Sequence, residues 1–97
     1  MVAVPIDIST FITRTPGLHG GKPHISDKGV TVRKIAFWYK KGLNAEEIAA
    51  QFGHLSLAEV YVALGYYHAN KQEIEDDLVA QAKAAKELET QYTGAKG

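Results

Sequence analysis

Four histidines, a Gly-Gly-Lys triplet and a front-loaded set of lysines and arginines are the residues of this 97-residue chain that first invite chemistry. Gly20-Gly21-Lys22 resembles the end of a phosphate-binding loop, in which backbone N–H groups and a lysine cradle phosphate oxygens. The spacing rejects that reading. The motif needs a glycine five residues before Gly21, where Pro16 stands, and Ser or Thr after the lysine, where Pro23 stands. A structural turn is the better account, with Lys22 as one cation of a basic arm. His19, His24, His54 and His68 have no metal-ligand spacing, and no HExxH pattern or thiolate accompanies them. No metal and no cofactor is called for.

Catalysis finds no candidate residue. There is no cysteine nucleophile, no G-x-S-x-G elbow, and no carboxylate set in an apolar run that would raise its pKa. Glu46-Glu47 fall in the first turn of an expected helix, where the dipole favours acids, and Asp76-Asp77 fall on a charged helix surface. The chain therefore reads as a non-enzymatic binding module.

Charge is the next signal. Residues 1–41 carry seven cations (Arg14, Lys22, Lys28, Arg33, Lys34, Lys40, Lys41) against Asp7 and Asp27, whereas residues 42–97 carry four lysines against nine acids. The basic front half can meet phosphates, and the acidic back half would be repelled by them. Alternatively, the halves complement each other within a dimer, or both are simply solvated.

These side chains need elements to position them. Residues 1–31 read as an extended arm with two or three short strands, broken by the turn-rich stretch 15–23 and by a tight turn at Asp27-Lys28-Gly29. Residues 32–70 read as three short helices with tight connections. The first runs from Val32 to Lys41, buries Val32, Ile35, Ala36 and Tyr39, and ends at Gly42. Asn44 with Glu47, then Ser56 with Glu59, form two capping boxes that open the second and third helices. Gly53 stops the second, whose buried side is Ile48, Ala49 and Phe52. The third runs to about Asn70 with Leu57, Val60, Tyr61, Leu64 and Tyr67 inward. Residues 71–97 hold a long amphipathic helix, striped by Ile74, Leu78, Ala82, Ala85, Leu88 and Tyr92, and a tail from Gly94 expected to fray. The fold class is thus mainly α: a trihelical unit of the helix-turn-helix kind, a short N-terminal β arm and an extra C-terminal helix, one domain in all.

Helix-turn-helix readers send the third helix into the major groove with Arg, Lys, Asn or Gln near its start. Here that helix has no cation, and Glu59 would face phosphates. The nucleic-acid candidates are instead Arg14, Lys22, Lys28, Arg33 and Lys34, on the arm and first helix. Trp38, Tyr61, Tyr66 and Tyr67, with Leu78 of the tail stripe, suit a partner or dimer interface. The N-terminus lacks the basic and apolar regions of a signal peptide, cysteine is absent, and no apolar run is long enough to span a membrane. The expected location is cytoplasmic.

Three stretches, I-T-R-T-P-G-L-H-G-G-K-P-H-I (12–25), K-G-L-N-A-E-E-I-A-A-Q-F (41–52) and L-S-L-A-E-V-Y-V-A-L-G-Y-Y (55–67), resemble a bacterial family catalogued as domain of unknown function 433 and often treated as antitoxin-like. The resemblance implies a homeodomain-like three-helix fold with a β arm, a homodimer, and an antitoxin role. Such an antitoxin would bind a small PIN-like ribonuclease toxin and repress its own operon through operator DNA. A protein–protein adaptor that never meets nucleic acid is the alternative. Where the family follows Pro-x-Ile with a Gly-Thr-Arg turn, this chain has Ser26-Asp27-Lys28-Gly29, which removes the arginine there.

Overall fold

The computed structural model describes residues 5–94, the side chains of residue 19 and of residues 90–94 excepted. The first four residues of the expected arm and the last three of the expected tail lie outside the described residues, as does the side chain of Tyr92.

The arm is held by backbone pairing rather than by bulk. A single 3₁₀ turn at Ile8–Thr10 is capped by Asp7, whose carboxylate accepts from the Ser9 N–H at 3.0 Å. Strand β1 (Ile12–Thr13) then pairs antiparallel with β2 (His24–Ile25), Ile12 opposite Ile25 and Thr13 opposite His24. After β2 the chain reverses over 26–29, at the turn the sequence predicts. Asp27 and Gly29 both take positive φ, +62° and +70°, and Ile25 N–H closes the turn on the Val30 carbonyl at 2.8 Å. Asp27 tolerates that conformation better than a β-branched residue would. Ile25 is fully buried, so this small sheet contributes to the core.

Helix α1 (Val32–Lys40) starts at Thr31, whose hydroxyl accepts from Lys34 N–H. Beyond its end Gly42 takes φ +103°, the left-handed close expected of it. Helix α2 (Ala45–Phe52) and helix α3 (Leu57–Ala69) open on the two capping boxes, each with both reciprocal bonds formed, and Gly53 closes α2 at φ +76°. Asn70 ends α3, and helix α4 (Lys71–Gly94) follows directly. Among the described residues the architecture is mainly helical: four helices and one two-stranded antiparallel sheet.

Val32, Ile35 and Ala36 of α1 meet Ile48 of α2, Val60, Ala63, Leu64 and Tyr67 of α3, and Ile74 of α4 in a single core. Two expectations for α3 are corrected here. Leu57 and Tyr61 are 40% and 58% exposed, because the buried ridge runs through Val60, Ala63, Leu64 and Tyr67 instead. Since α3 is apolar on both sides, periodicity alone does not say which side faces inward. On α4 the expected stripe is buried only at its base: Ile74 is 1% exposed and Leu78 half-buried, while residues 79–89 are all exposed. The 24-residue helix is about 36 Å long. It projects beyond the bundle and gives the molecule a long dimension of 69 Å against 29 and 23 Å.

Candidate functional site

Two surfaces stand out: a charged seam between the arm and α4, and the outward face of α3. The seam is built by Ile74. Anchoring that side chain in the core sets Glu73 and Asp77, four apart, along one flank of α4, and Glu75 on the other. The Arg14 guanidinium reaches Glu73 Oε2 at 2.5 Å and the Tyr66 hydroxyl at 2.7 Å, and Tyr66 in turn donates to Glu73 Oε1 at 3.3 Å. Asp77, its side chain only 10% exposed, lies between Lys22 (3.6 Å) and Arg33 (3.5 Å). Across the helix Lys40 Nζ holds Glu75 Oε1 at 2.5 Å, and the Tyr67 hydroxyl donates to the same carboxylate.

The ionisation states follow from these contacts. Hydrogen bonding to Lys40, then to Tyr67, holds the Glu75 carboxyl below its ordinary value. The same bond to Glu75, reinforced by burial, pushes the Tyr67 phenol up to about 12. Pairing with Glu73 raises the Arg14 guanidinium further. At neutral pH Glu75 and Arg14 are therefore charged and Tyr67 is neutral.

Of the five residues nominated for nucleic acid, the structure brings Arg14, Lys22 and Arg33 together, all on α4 carboxylates. Lys28 sits elsewhere: its ammonium donates to the His54 carbonyl at 3.3 Å, and His54 Nε2 lies 3.1 Å from the Lys28 carbonyl. Lys34 is exposed on the first turn of α1. Among the interface candidates, Tyr67 is buried in the core, and Trp38, Tyr66 and Leu78 are half-buried against it. Tyr61 alone of these stands out into solvent. Among the described residues no three His, Asp or Glu side chains converge as a metal ion would require. No described helix is long and apolar enough to cross a membrane.

The outward face of α3 carries Leu57, Ala58, Tyr61, Val62, Gly65, His68 and Ala69, with no Lys, Arg, Asp or Glu among them. Where α3 passes the arm, Val62, Gly65, Tyr66 and Ala69 form one wall of a groove of about 380 Å³, and Ile8 and Ile12 form the other. Gly65 forms part of that wall. A Cβ built on it would meet nothing within 4 Å, so the fold of one chain gives no steric reason for glycine there.

A model of the family described as "Protein of unknown function (DUF433)" matches residues 12–67. The chain belongs to the DUF433 family. A crystal structure of a DUF433 member protein from Anabaena variabilis is similar to it, with a TM-score of 0.68 and 24% identity over 74% of this chain and 71% of that one. That likeness is one of fold. No curated protein matches the sequence.

The DUF433 match runs from β1 to Tyr67 and so contains the outward face of α3 as far as Gly65, and the cations of the seam. The seam's acids, Glu73, Glu75 and Asp77, lie beyond it on α4. Neither those carboxylates nor Gly65 was nominated from the sequence. The acids carried a readable signal: Glu73-Ile74-Glu75-Asp76-Asp77 is an acid cluster around one apolar anchor, in a chain whose cations lie in its other half. Gly65 carried a weaker one, a helix-interior glycine without a turn to make.

Proposed function

We propose that this chain is a non-enzymatic, dimeric binding module that engages another protein through the outward face of α3. Its three-helix unit is read as homeodomain-like, of helix-turn-helix type, so α3 takes the place of the recognition helix. What carries the proposal is the chemistry of that face: exposed Tyr61 and Leu57 beside Gly65 and Ala69, without lysine, arginine, aspartate or glutamate. Phosphates would find no lysine or arginine there, whereas an apolar partner surface would find an aromatic anchor and a groove. The family resemblance makes an antitoxin role the specific form of this reading. The partner to test first is a small PIN-like ribonuclease toxin encoded beside this gene.

Calorimetric titration with the product of the adjacent reading frame tests it. Binding is expected for the native chain and at least about tenfold weaker binding for Tyr61→Asp, which is exposed and leaves the core intact. Unchanged affinity in Tyr61→Asp would remove α3 from the interface.

Autoregulation through operator DNA is the second reading, favoured by exposed Lys34 beside the seam cations. Fluorescence anisotropy against promoter duplex at low salt decides it, because phosphate contacts weaken binding steeply as salt rises.

A further inference from the structure

Two apolar surfaces that the fold of a single chain leaves exposed lie along one rod. The first is a groove between α1 and α4, floored by Phe37, Trp38 and Leu78. It comprises hollows of about 220 and 250 Å³ that share Phe37 and Leu78. Phe37 is 42% exposed, its ring edge-on to Trp38 with centroids 5.3 Å apart. Lys34 and Lys41 rim the groove, Lys41 Nζ lying 5.1 Å from the Phe37 centroid, and neither lysine enters an ion pair among the described residues. The second feature is Leu88, 68% exposed on the projecting end of α4 between Glu87 and Glu89.

An aliphatic anchor flanked by carboxylates is complementary to an aromatic floor flanked by ammonium groups. Within one chain they never meet, because ten residues of continuous helix hold Leu88 about 15 Å beyond Leu78. We infer that a second copy of this chain fills the groove. The two α4 helices run antiparallel about a two-fold axis near Lys83, and Leu88 of each copy enters the groove of the other. Every contact is made twice and the assembly closes. Ala84 and Ala85, near the axis, let the rods approach closely. The pairing also covers the exposed stretch of α4 over residues 79–89, where an isolated helix of this length is marginal in water.

This assigns a surface to the dimer proposed above and rests on that part of the reading, while the α3 face remains open for a partner. Sedimentation equilibrium of the full chain tests it. The native chain is expected to be a dimer at tens of micromolar, with Leu88→Glu raising the dimer Kd at least about a hundredfold. Reversing the groove rim (Lys34→Glu with Lys41→Glu) or the anchor's flanks (Glu87→Lys with Glu89→Lys) is expected to weaken it about tenfold, and all four changes together to restore it. Leu88 is outside the core, so far-UV circular dichroism at a fixed low concentration should be the same for native and Leu88→Glu chains. A native dimer indifferent to Leu88→Glu would overturn this interface and leave the dimer to another face. Failure of the fourfold variant to recover would overturn the seating of Leu88 between those lysines. A native monomer at several hundred micromolar would overturn the interface and the dimer together.

Discussion

Neutralising the acids of α4 should raise the affinity of the chain for DNA well above that of the native chain. The perturbation is Glu73→Gln, Glu75→Gln and Asp77→Asn in one chain. These side chains occupy Arg14, Lys22, Arg33 and Lys40, the four cations that line the seam. Any duplex approaching them meets three carboxylates fixed within a few ångströms, and the repulsion offsets the attraction. Removing the acids releases four cations and shifts the net charge by +3. Each phosphate neutralised contributes about 0.9 to the slope of log K against log salt, so four contacts give a slope near −3.6. Lowering salt fourfold would then strengthen binding on the order of a hundredfold. The amides are near-isosteric, and Ile74, 1% exposed, keeps α4 docked, which circular dichroism can verify. Anisotropy of a labelled duplex across 50–200 mM salt is the assay. Steep, tight binding by the native chain would refute the reasoning, since the seam would then not mask its cations. A folded triple variant that binds no better than the native chain would refute it equally.

Tyr67→Phe is expected to remove an alkaline step in stability. With a phenol raised from 10.0 to about 12, the folded chain keeps a proton that the unfolded chain loses, so stability falls as pH rises between those values, by no more than about 3 kcal/mol; pH-dependent urea melts follow it. On the acid side, Glu75 is lowered by Lys40 and Tyr67. Its contribution is complete above the unfolded carboxylate value and is lost as pH falls through the folded one, so Glu75→Gln should flatten that limb. Asn44→Ala and Ser56→Ala should each cost about 1 kcal/mol, because each removes half of a formed capping box; unchanged melting would contradict the caps. Gly65→Ala should stabilise the isolated chain by about 1 kcal/mol, since the added Cβ meets nothing, while weakening partner binding in calorimetry. Ile74→Ala should cost about 2–5 kcal/mol by opening a cavity beneath α4.

Local chemistry explains which parts of the fold were legible. The capping boxes at Asn44–Glu47 and Ser56–Glu59, the stop at Gly53 and the turn at Asp27–Gly29 are interactions between near neighbours, so sequence spacing determines them. The inward side of α3 was less legible. Leu57 and Tyr61 are as apolar as Leu64 and Tyr67, and only tertiary packing decides which pair is buried. The seam illustrates the same limit at longer range. The opposed charges of the two halves were visible in the sequence, but the pairing of Arg14 with Glu73, 59 residues apart, depends on how α4 returns along the arm.

That pairing changes what the charge asymmetry means. A basic front half suggests a polyanion partner when it is considered alone. In the folded chain three of its cations contact Glu73 and Asp77 and a fourth contacts Glu75. The acidic flank of α4 thus occupies the positions that phosphates would take. The seam orients α4 and, through Arg14 and Tyr66, ties the arm to the junction of α3 and α4. With four of the seven cations of its front half committed internally, the molecule presents outward the side of α3 without lysine, arginine or carboxylate and the projecting end of α4. Both are apolar anchors on rigid rods, and the proposed protein contacts rest on them.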